Sequence, residues 1–337
     1  MHLANHFTRL LLALTFLAAC SSVSFSSDPG NRPAANLVTD QQAGSVLFYN
    51  LYASSATNST IENTRINLTN TSPNTSITIH LFFVDGKTCT PADSYFCLSK
   101  SQTVTILASD VDPGVTGYIL AVAVDTITGC PISFNHLIGD AYVKLASGHK
   151  GNLGAEALVA EFSDTDGDML PGCDETLTEV GLTFGGGFYN PVPRVLAVDN
   201  IASPGEGNST LLVVNSTGGN LSTGESTFVG TLFGIMFDAA ENPYSFSIPG
   251  PGCQVRGVIS DSFPRTVPRF SKIVPPGQTG WLKFWTINGF GIFGAALNYN
   301  PNEKNQSSAF NGGHNLHKLT TTEDTVIIPL FPPNCRN

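Results

Sequence analysis

One stretch occurs twice and constrains the fold more than any other. Val111-Asp-Pro-Gly-Val-Thr-Gly-Tyr-Ile-Leu120 returns as Val274-Pro-Pro-Gly-Gln-Thr-Gly-Trp-Leu-Lys283. In each copy Pro-Gly predicts a turn, Thr-Gly leads the chain back, and an aromatic residue opens an apolar, strand-forming run. Other segments follow in the same order. Asn63-Thr-Arg-Ile-Asn-Leu-Thr-Asn-Thr-Ser72 is echoed by Asn208-Ser-Thr-Leu-Leu-Val-Val-Asn-Ser-Thr217, and Phe82-Phe-Val-Asp85 by Ile235-Met-Phe-Asp238. The offset grows from 145 at Asn63/Asn208 to 163 at Val111/Val274, so the second copy carries insertions, expected in loops.

A chain of 337 residues is long enough for two such units. Charged residues make up only 12%, and Gly, Pro, Ser, Thr and Asn dominate over helix formers, so the composition favours strands joined by turns. Strands are expected at 45–52, 64–70, 77–84, 103–107, 117–124, 132–137 and 141–145, with Ile77, Ile79, Leu81 and Phe83 on one face by period-two alternation. Residues 153–162 read equally as a last strand or a short helix. The expected fold is all-β: two tandem β-sandwich domains, Ig-like or similar, at 44–162 and 180–337. A closing strand is expected at 325–331, with Pro329 at an edge or a strand end.

The N-terminus reads as an address. Arg9 precedes the apolar run 10–17, followed by Ala18-Ala19-Cys20. Leu17-Ala-Ala-Cys20 resembles the lipobox of bacterial lipoproteins. That resemblance implies cleavage after residue 19, lipidation of Cys20, and a protein held at the outer membrane or cell surface by its acyl chains. Residues 20–43, small and polar, then read as the lipid anchor and a flexible tether. The net charge of −10 argues against nucleic acid as a partner.

Beyond Cys20, six cysteines remain: Cys89, Cys97, Cys130, Cys173, Cys253 and Cys335. An even set in an exported chain reads as up to three disulfides, with fifteen possible connectivities. Spacing favours Cys89–Cys97, and elimination then leaves Cys130–Cys173 and Cys253–Cys335.

The junction at 163–179 carries the most specific chemical signal, Asp164-Thr-Asp166-Gly-Asp168-Met-Leu-Pro-Gly-Cys-Asp-Glu175. Asp at positions one, three and five, with Glu at twelve, is the spacing of an EF-hand-type loop. The stretch is similar to the short calcium loops of thrombospondin type-3 repeats. The resemblance implies a structural Ca²⁺ held by Asp164, Asp166, Asp168, the Leu170 carbonyl and Glu175. One departure stands: the loop glycine is Gly167, and Met169 follows the third Asp.

Other motifs read as structure. Gly289-Phe-Gly-Ile-Phe-Gly294 fits GxGxxG, but neither a helix nor an acidic residue follows as a dinucleotide site requires, so close backbone packing is expected. His314 and His317 lack a third ligand nearby in sequence. Trp281 and Trp285 alternate on one face with Lys283 between them, a possible stacking surface for a glycan or protein ligand. No Gly-x-Ser-x-Gly occurs. The expected role is non-catalytic: surface binding, adhesion or envelope scaffolding. Two alternatives stand beside it. One is a calcium-dependent exported hydrolase acting on polysaccharide, with Glu156, Glu161, Asp140 and His149 as the groups that must converge. The other is a subunit of an extracellular assembly.

Overall fold

A computed structural model describes residues 38–163, 169–304 and 309–333. Those residues belong to one compact unit and form an all-β arrangement of five small sheets. The first half supplies β1 (Val46–Ala53), β2 (Asn63–Asn70), β3 (Ile77–Asp85), β4 (Pro91–Leu98), β5 (Thr103–Leu107), β6 (Thr116–Val124), β7 (Leu137–Lys144), β8 (Lys150–Gly154) and β9 (Glu156–Leu158). From the second half come β10 (Glu179–Phe184), β11 (Val192–Ala202), β12 (Ser209–Ser216), β13 (Gly219–Asn220), β14 (Glu225–Ser226), β15 (Gly230–Phe237), β16 (Pro243–Gly250) and β17 (Gln254–Val258). The chain closes with β18 (Thr279–Thr286), β19 (Ile292–Tyr299), β20 (Gly312–Asn315), β21 (His317–Thr322) and β22 (Asp324–Pro329). One-turn helices α1 (Ala108–Val111) and α2 (Phe270–Ile273) precede β6 and β18.

The strand order repeats. The first sheet runs β4-β3-β6-β1-β9 and the third β16-β15-β18-β11-β21; the second runs β5-β2-β7-β8 and the fourth β17-β12-β19-β20. The duplicated stretch explains itself here. Gly114 and Gly277 turn the chain at φ +85 and +80, where a side chain is strained. At Gly117 an added Cβ would lie 1.7 Å from the Val84 carbonyl oxygen, and at Gly280 it would lie 2.8 Å from that of Phe237. Each of these glycines lies opposite the end of a register shift on the neighbouring strand, Gly117 facing Tyr52 and Gly280 facing Ile201. The repeated glycines therefore mark two needs: a left-handed turn, and a close approach to the next backbone.

The first sheet is buried on both faces. Leu47, Tyr49, Ile79 and Leu81 point into one core with Ile66, Leu68 and Val143 of the second sheet. Phe48, Phe82, Leu120 and Val122 point into another, under Leu182, Phe184, Val326 and Ile328 of the fifth sheet, β10-β22-β13-β14. This is why β1 and β6 are near-continuous apolar runs, while β3 alternates from Ile77 to Leu81 and then runs apolar to Val84. Leu211, Val213 and Leu297 of the fourth sheet complete the first core, while Leu212 and Val214 on its opposite face pack against Leu282 and Phe284 of the third. The two halves thus share buried surface, and each fully buried large apolar side chain contributes on the order of 2 kcal/mol.

Several expectations need correction. Residues 132–137 are not a strand; Ile132 makes an isolated bridge to Met169, and β7 begins at Leu137. The flexible tether does not reach residue 43, because Val38 is buried and Thr39 already pairs with Ala157. Of the two readings of 153–162, the strand one holds, with β8 ending at Gly154 and β9 spanning Glu156–Leu158. Pro329 stands at the end of β22, one of its two expected placements, and β22 lies inside its sheet between β10 and β13.

Of the expected cysteine pairs, Cys130–Cys173 is present and Cys89–Cys97 is not. Cys89 bonds Cys253, joining the two halves across a separation of 164, and Cys130 bonds Cys173. Cys97 is disulfide-bonded as well, while Cys335 lies outside the described residues. The Cys89–Cys97 pairing fails because Cys89 sits in the β3–β4 turn, and Gly86 there receives the Gln254 N–H from the second half at 3.0 Å, bringing Cys253 alongside. Disulfides of this kind mark a chain that matures in an oxidising compartment.

Candidate functional site at the seam between the halves

β8 and β20 face each other across the seam, so close that a Cβ at Gly151 would lie 2.8 Å from the Gly313 nitrogen. Beside them the chain passes from the fourth sheet to the third through buried Leu316, whose N–H reaches the Gly294 carbonyl at 2.9 Å. The segment at Thr39 pairs alongside. Where the three meet lies a cleft of about 660 Å³, with Asp40, Asn152, His314, Asn315, His317 and Lys318 among its walls.

A directional chain of amides runs from this cleft through the interior. The Asn315 Nδ2 donates to the Gly154 carbonyl at 2.7 Å and to the Asp40 carboxylate at 3.1 Å. Its Oδ1 accepts from Asn50 Nδ2 at 2.9 Å. The Asn50 carbonyl accepts from Asn215 Nδ2 at 2.9 Å, and Asn215 Oδ1 accepts from Gln254 Nε2 at 2.8 Å. Asn50 and Asn215 are fully buried. Every donor points toward Asp40, and the main-chain carbonyls of Gly154 and Asn50, which can only accept, hold the Asn315 and Asn215 amides in that orientation. Both buried asparagines interrupt apolar runs, Val46-Leu-Phe-Tyr-Asn50-Leu-Tyr-Ala53 and Leu211-Leu-Val-Val-Asn215. That interruption was the signal sequence reasoning missed, since a buried amide must be hydrogen-bonded.

Under the cleft, Lys318 Nζ lies 2.7 Å from Glu156 Oε2. Burial pushes the Glu156 carboxyl up to about 7; Lys318 opposes this and Asp40 adds to it. Glu156 Oε1 is buried without a hydrogen-bond partner. At the cleft mouth, His317 Nε2 is 3.3 Å and His314 Nε2 3.8 Å from one Asp199 oxygen. Burial lowers the His314 pKa, Asp199 opposes this, and the His317 charge adds to it. Among the described residues no group of three or more His, Cys, Asp and Glu has the geometry to hold a metal ion.

Each of the four groups named for the hydrolase alternative is engaged by a neighbour outside the set. Glu156 pairs with Lys318, Glu161 accepts from Asn190 at 3.3 Å, and Asp140 accepts from Asn67 at 3.0 Å. His149 lies between Ser147 at 2.9 Å and Ser209 at 3.2 Å, so a hydroxyl and not a carboxylate stands at the nitrogen that would be oriented in a triad. His80, buried against Tyr95 and Phe82, pairs with Asp93 at 2.9 Å.

The tryptophan surface needs correction in part. Trp285 is buried and lies 5.4 Å from the Phe233 ring. Trp281 is half-buried, with one face stacked on its cross-strand partner Phe237 at 4.3 Å. Of the calcium-loop positions, Asp164, Asp166 and Asp168 lie outside the described residues, as does Cys20. Leu170 is buried and its carbonyl accepts the Cys173 N–H at 3.0 Å, while Glu175 is exposed. In the GxGxxG stretch, a Cβ at Gly291 would lie 2.3 Å from Val192 Cγ2, and one at Gly294 would lie 2.7 Å from the Val213 oxygen; both glycines serve close packing. No described helix is long and apolar enough to cross a membrane.

No family model matches the chain, and no curated protein matches it. Among solved structures it is similar to a mutant of the major pilin from Streptococcus pyogenes at 9% identity, over 84% of this chain and 97% of that one, with a TM-score of 0.22.

Proposed function

We propose that the protein is a non-catalytic surface lipoprotein, anchored through Cys20, whose seam cleft binds a hydroxyl-rich glycan. The observation that carries this reading is the cleft itself. Amide, carboxylate and imidazole groups stand around glycine walls, and the one lysine of the lining, Lys318, is locked to buried Glu156 beneath it. Such a surface offers mixed donors and acceptors to hydroxyls but presents no free nucleophile. The repeated strand order supports reading the chain as two related β-sandwich units fused through a shared core. On a glycan array, the mature chain should retain a discrete set of neutral glycans. His317→Ala and Asn152→Ala, both exposed, should weaken that binding about tenfold, the loss of one or two good hydrogen bonds. Retention unchanged in both variants would remove the cleft from consideration.

The junction segment is proposed to hold Ca²⁺ through Asp164, Asp166, Asp168 and Glu175. Five carboxylates within twelve residues repel one another unless a cation or extension separates them. The Cys130–Cys173 bond ties this segment to the first half, so bound Ca²⁺ would stiffen a loop, not orient two free bodies. Millimolar Ca²⁺ should raise the thermal midpoint by several degrees over chelator, and Asp166→Ala should abolish the rise. An identical midpoint with and without Ca²⁺ would reduce the segment to an acidic linker.

A further inference from the structure

The amide series that begins at Asp40 ends at Gln254, in the wall of a second cleft of about 620 Å³ on the same seam. We propose that this second cleft is a carboxylate site that takes the acidic unit of a sugar acid. Lys87 stands in the β3–β4 turn and Arg256 on β17. On β17, Val255 points into the core of the second half, so Gln254 and Arg256, two residues apart, share the opposite face. The one acidic wall residue, Asp85, is consumed by its own turn. Its Oδ1 accepts the Lys87 N–H at 2.8 Å and its Oδ2 accepts the Thr88 hydroxyl at 2.9 Å. Neither the Lys87 ammonium nor the Arg256 guanidinium has a hydrogen-bond or ion-pair partner among the described residues, and both are exposed.

Two unpaired cations in one cleft are unusual for a chain with 16 basic and 26 acidic residues. The surrounding negative charge disfavours a polyphosphate, while a single carboxylate fits a guanidinium fork with a neighbouring ammonium. Gln254 supplies the second half of the recognition. Its Nε2 is committed to Asn215, which holds the amide in place and leaves Oε1 to accept from a ligand hydroxyl. Carboxylate and hydroxyl on one small ring describe a sugar acid. Glycines at 86, 114 and 252 form the remaining walls, so a ring can lie close to the backbone. Gly114 belongs to the duplicated stretch, and the second half supplies Gln254 and Arg256; the site therefore needs both halves.

Titration calorimetry of the mature chain tests this with three probes: D-glucuronate, D-glucose and a trigalacturonate. Glucuronate should bind, glucose should not, and added salt should weaken the interaction. Arg256→Gln should reduce affinity about tenfold and Lys87→Gln less, the difference between a bidentate and a point-charge contact. Tighter binding of the trimer than of the monomer assigns a polymer as the source; equal binding assigns a free sugar acid. Equal affinity for glucose and glucuronate, or an Arg256→Gln variant that folds and binds as the parent does, overturns the proposal. His317→Ala, in the first cleft, should leave glucuronate binding unchanged, so failure here and failure of the neutral-glycan reading are separable.

Discussion

Replacing Cys89 and Cys253 by alanine lowers the unfolding free energy by about 5 kcal/mol in urea denaturation, against about 4 kcal/mol for Cys130 and Cys173. The ranking follows from the chain each bond closes, with separations of 164 and 43 residues. A longer loop denies the unfolded ensemble more freedom, although only logarithmically. The native side of the comparison is nearly matched, since all four sulfurs are buried and alanine leaves a small void in either case. The long bond carries a further consequence, because it staples the halves next to Gly86 and Gln254, at the second cleft. Loss of the Cys89–Cys253 bond should therefore weaken glucuronate binding even where the fold survives. If the short bond proves the costlier one to remove, the constraint on the unfolded chain is not what the long bond contributes.

Much of this architecture was legible because its constraints are local. The duplicated Pro-Gly and Thr-Gly positions report a left-handed turn and a backbone contact, and both recur in the structure at Gly114, Gly277, Gly117 and Gly280. Period-two alternation placed β3, and the apolar runs placed β1 and β6. Features set by partners distant in sequence were not legible. Nothing at Cys89 shows that Cys253 will be closer than Cys97, because that depends on the seam bringing Gln254 to Gly86. Residues 38–43 look like a polar tether until their pairing with β9 is seen. The seam network was half legible: Asn50 and Asn215 stand out as amides within apolar strands, but their partners Asn315 and Gln254 come from other sheets. Both candidate clefts sit where those distant segments meet, which is why motif scanning led to Trp285 and not to Arg256.

A pH series should single out Glu156. Its carboxyl titrates near 4.5 in the unfolded chain and is pushed up to about 7 in the fold. Between those values the folded protein retains a proton that the unfolded chain has released. The stability contributed by this group is therefore complete below about pH 4.5 and lost as pH rises through about 7. The size of the shift corresponds to about 3 kcal/mol. His80, His149 and His314 act in the opposite sense: burial lowers each pKa, so acid favours the unfolded chain, which takes up their protons first. The parent profile mixes these slopes, and the difference between parent and Glu156→Gln removes the histidines from it. That difference should fall by about 3 kcal/mol across the window as pH rises. Lys318→Met supplies the complementary test. At pH 8, where Glu156 is ionised, removing its paired cation should cost about 3 kcal/mol, and at pH 5, where the carboxyl is protonated, much less. A flat difference profile for Glu156→Gln would mean that the carboxylate stays ionised beside Lys318 throughout, and that attraction across 2.7 Å outweighs burial. A falling profile would mean that burial dominates, and that the floor of the seam cleft changes its charge close to neutral pH.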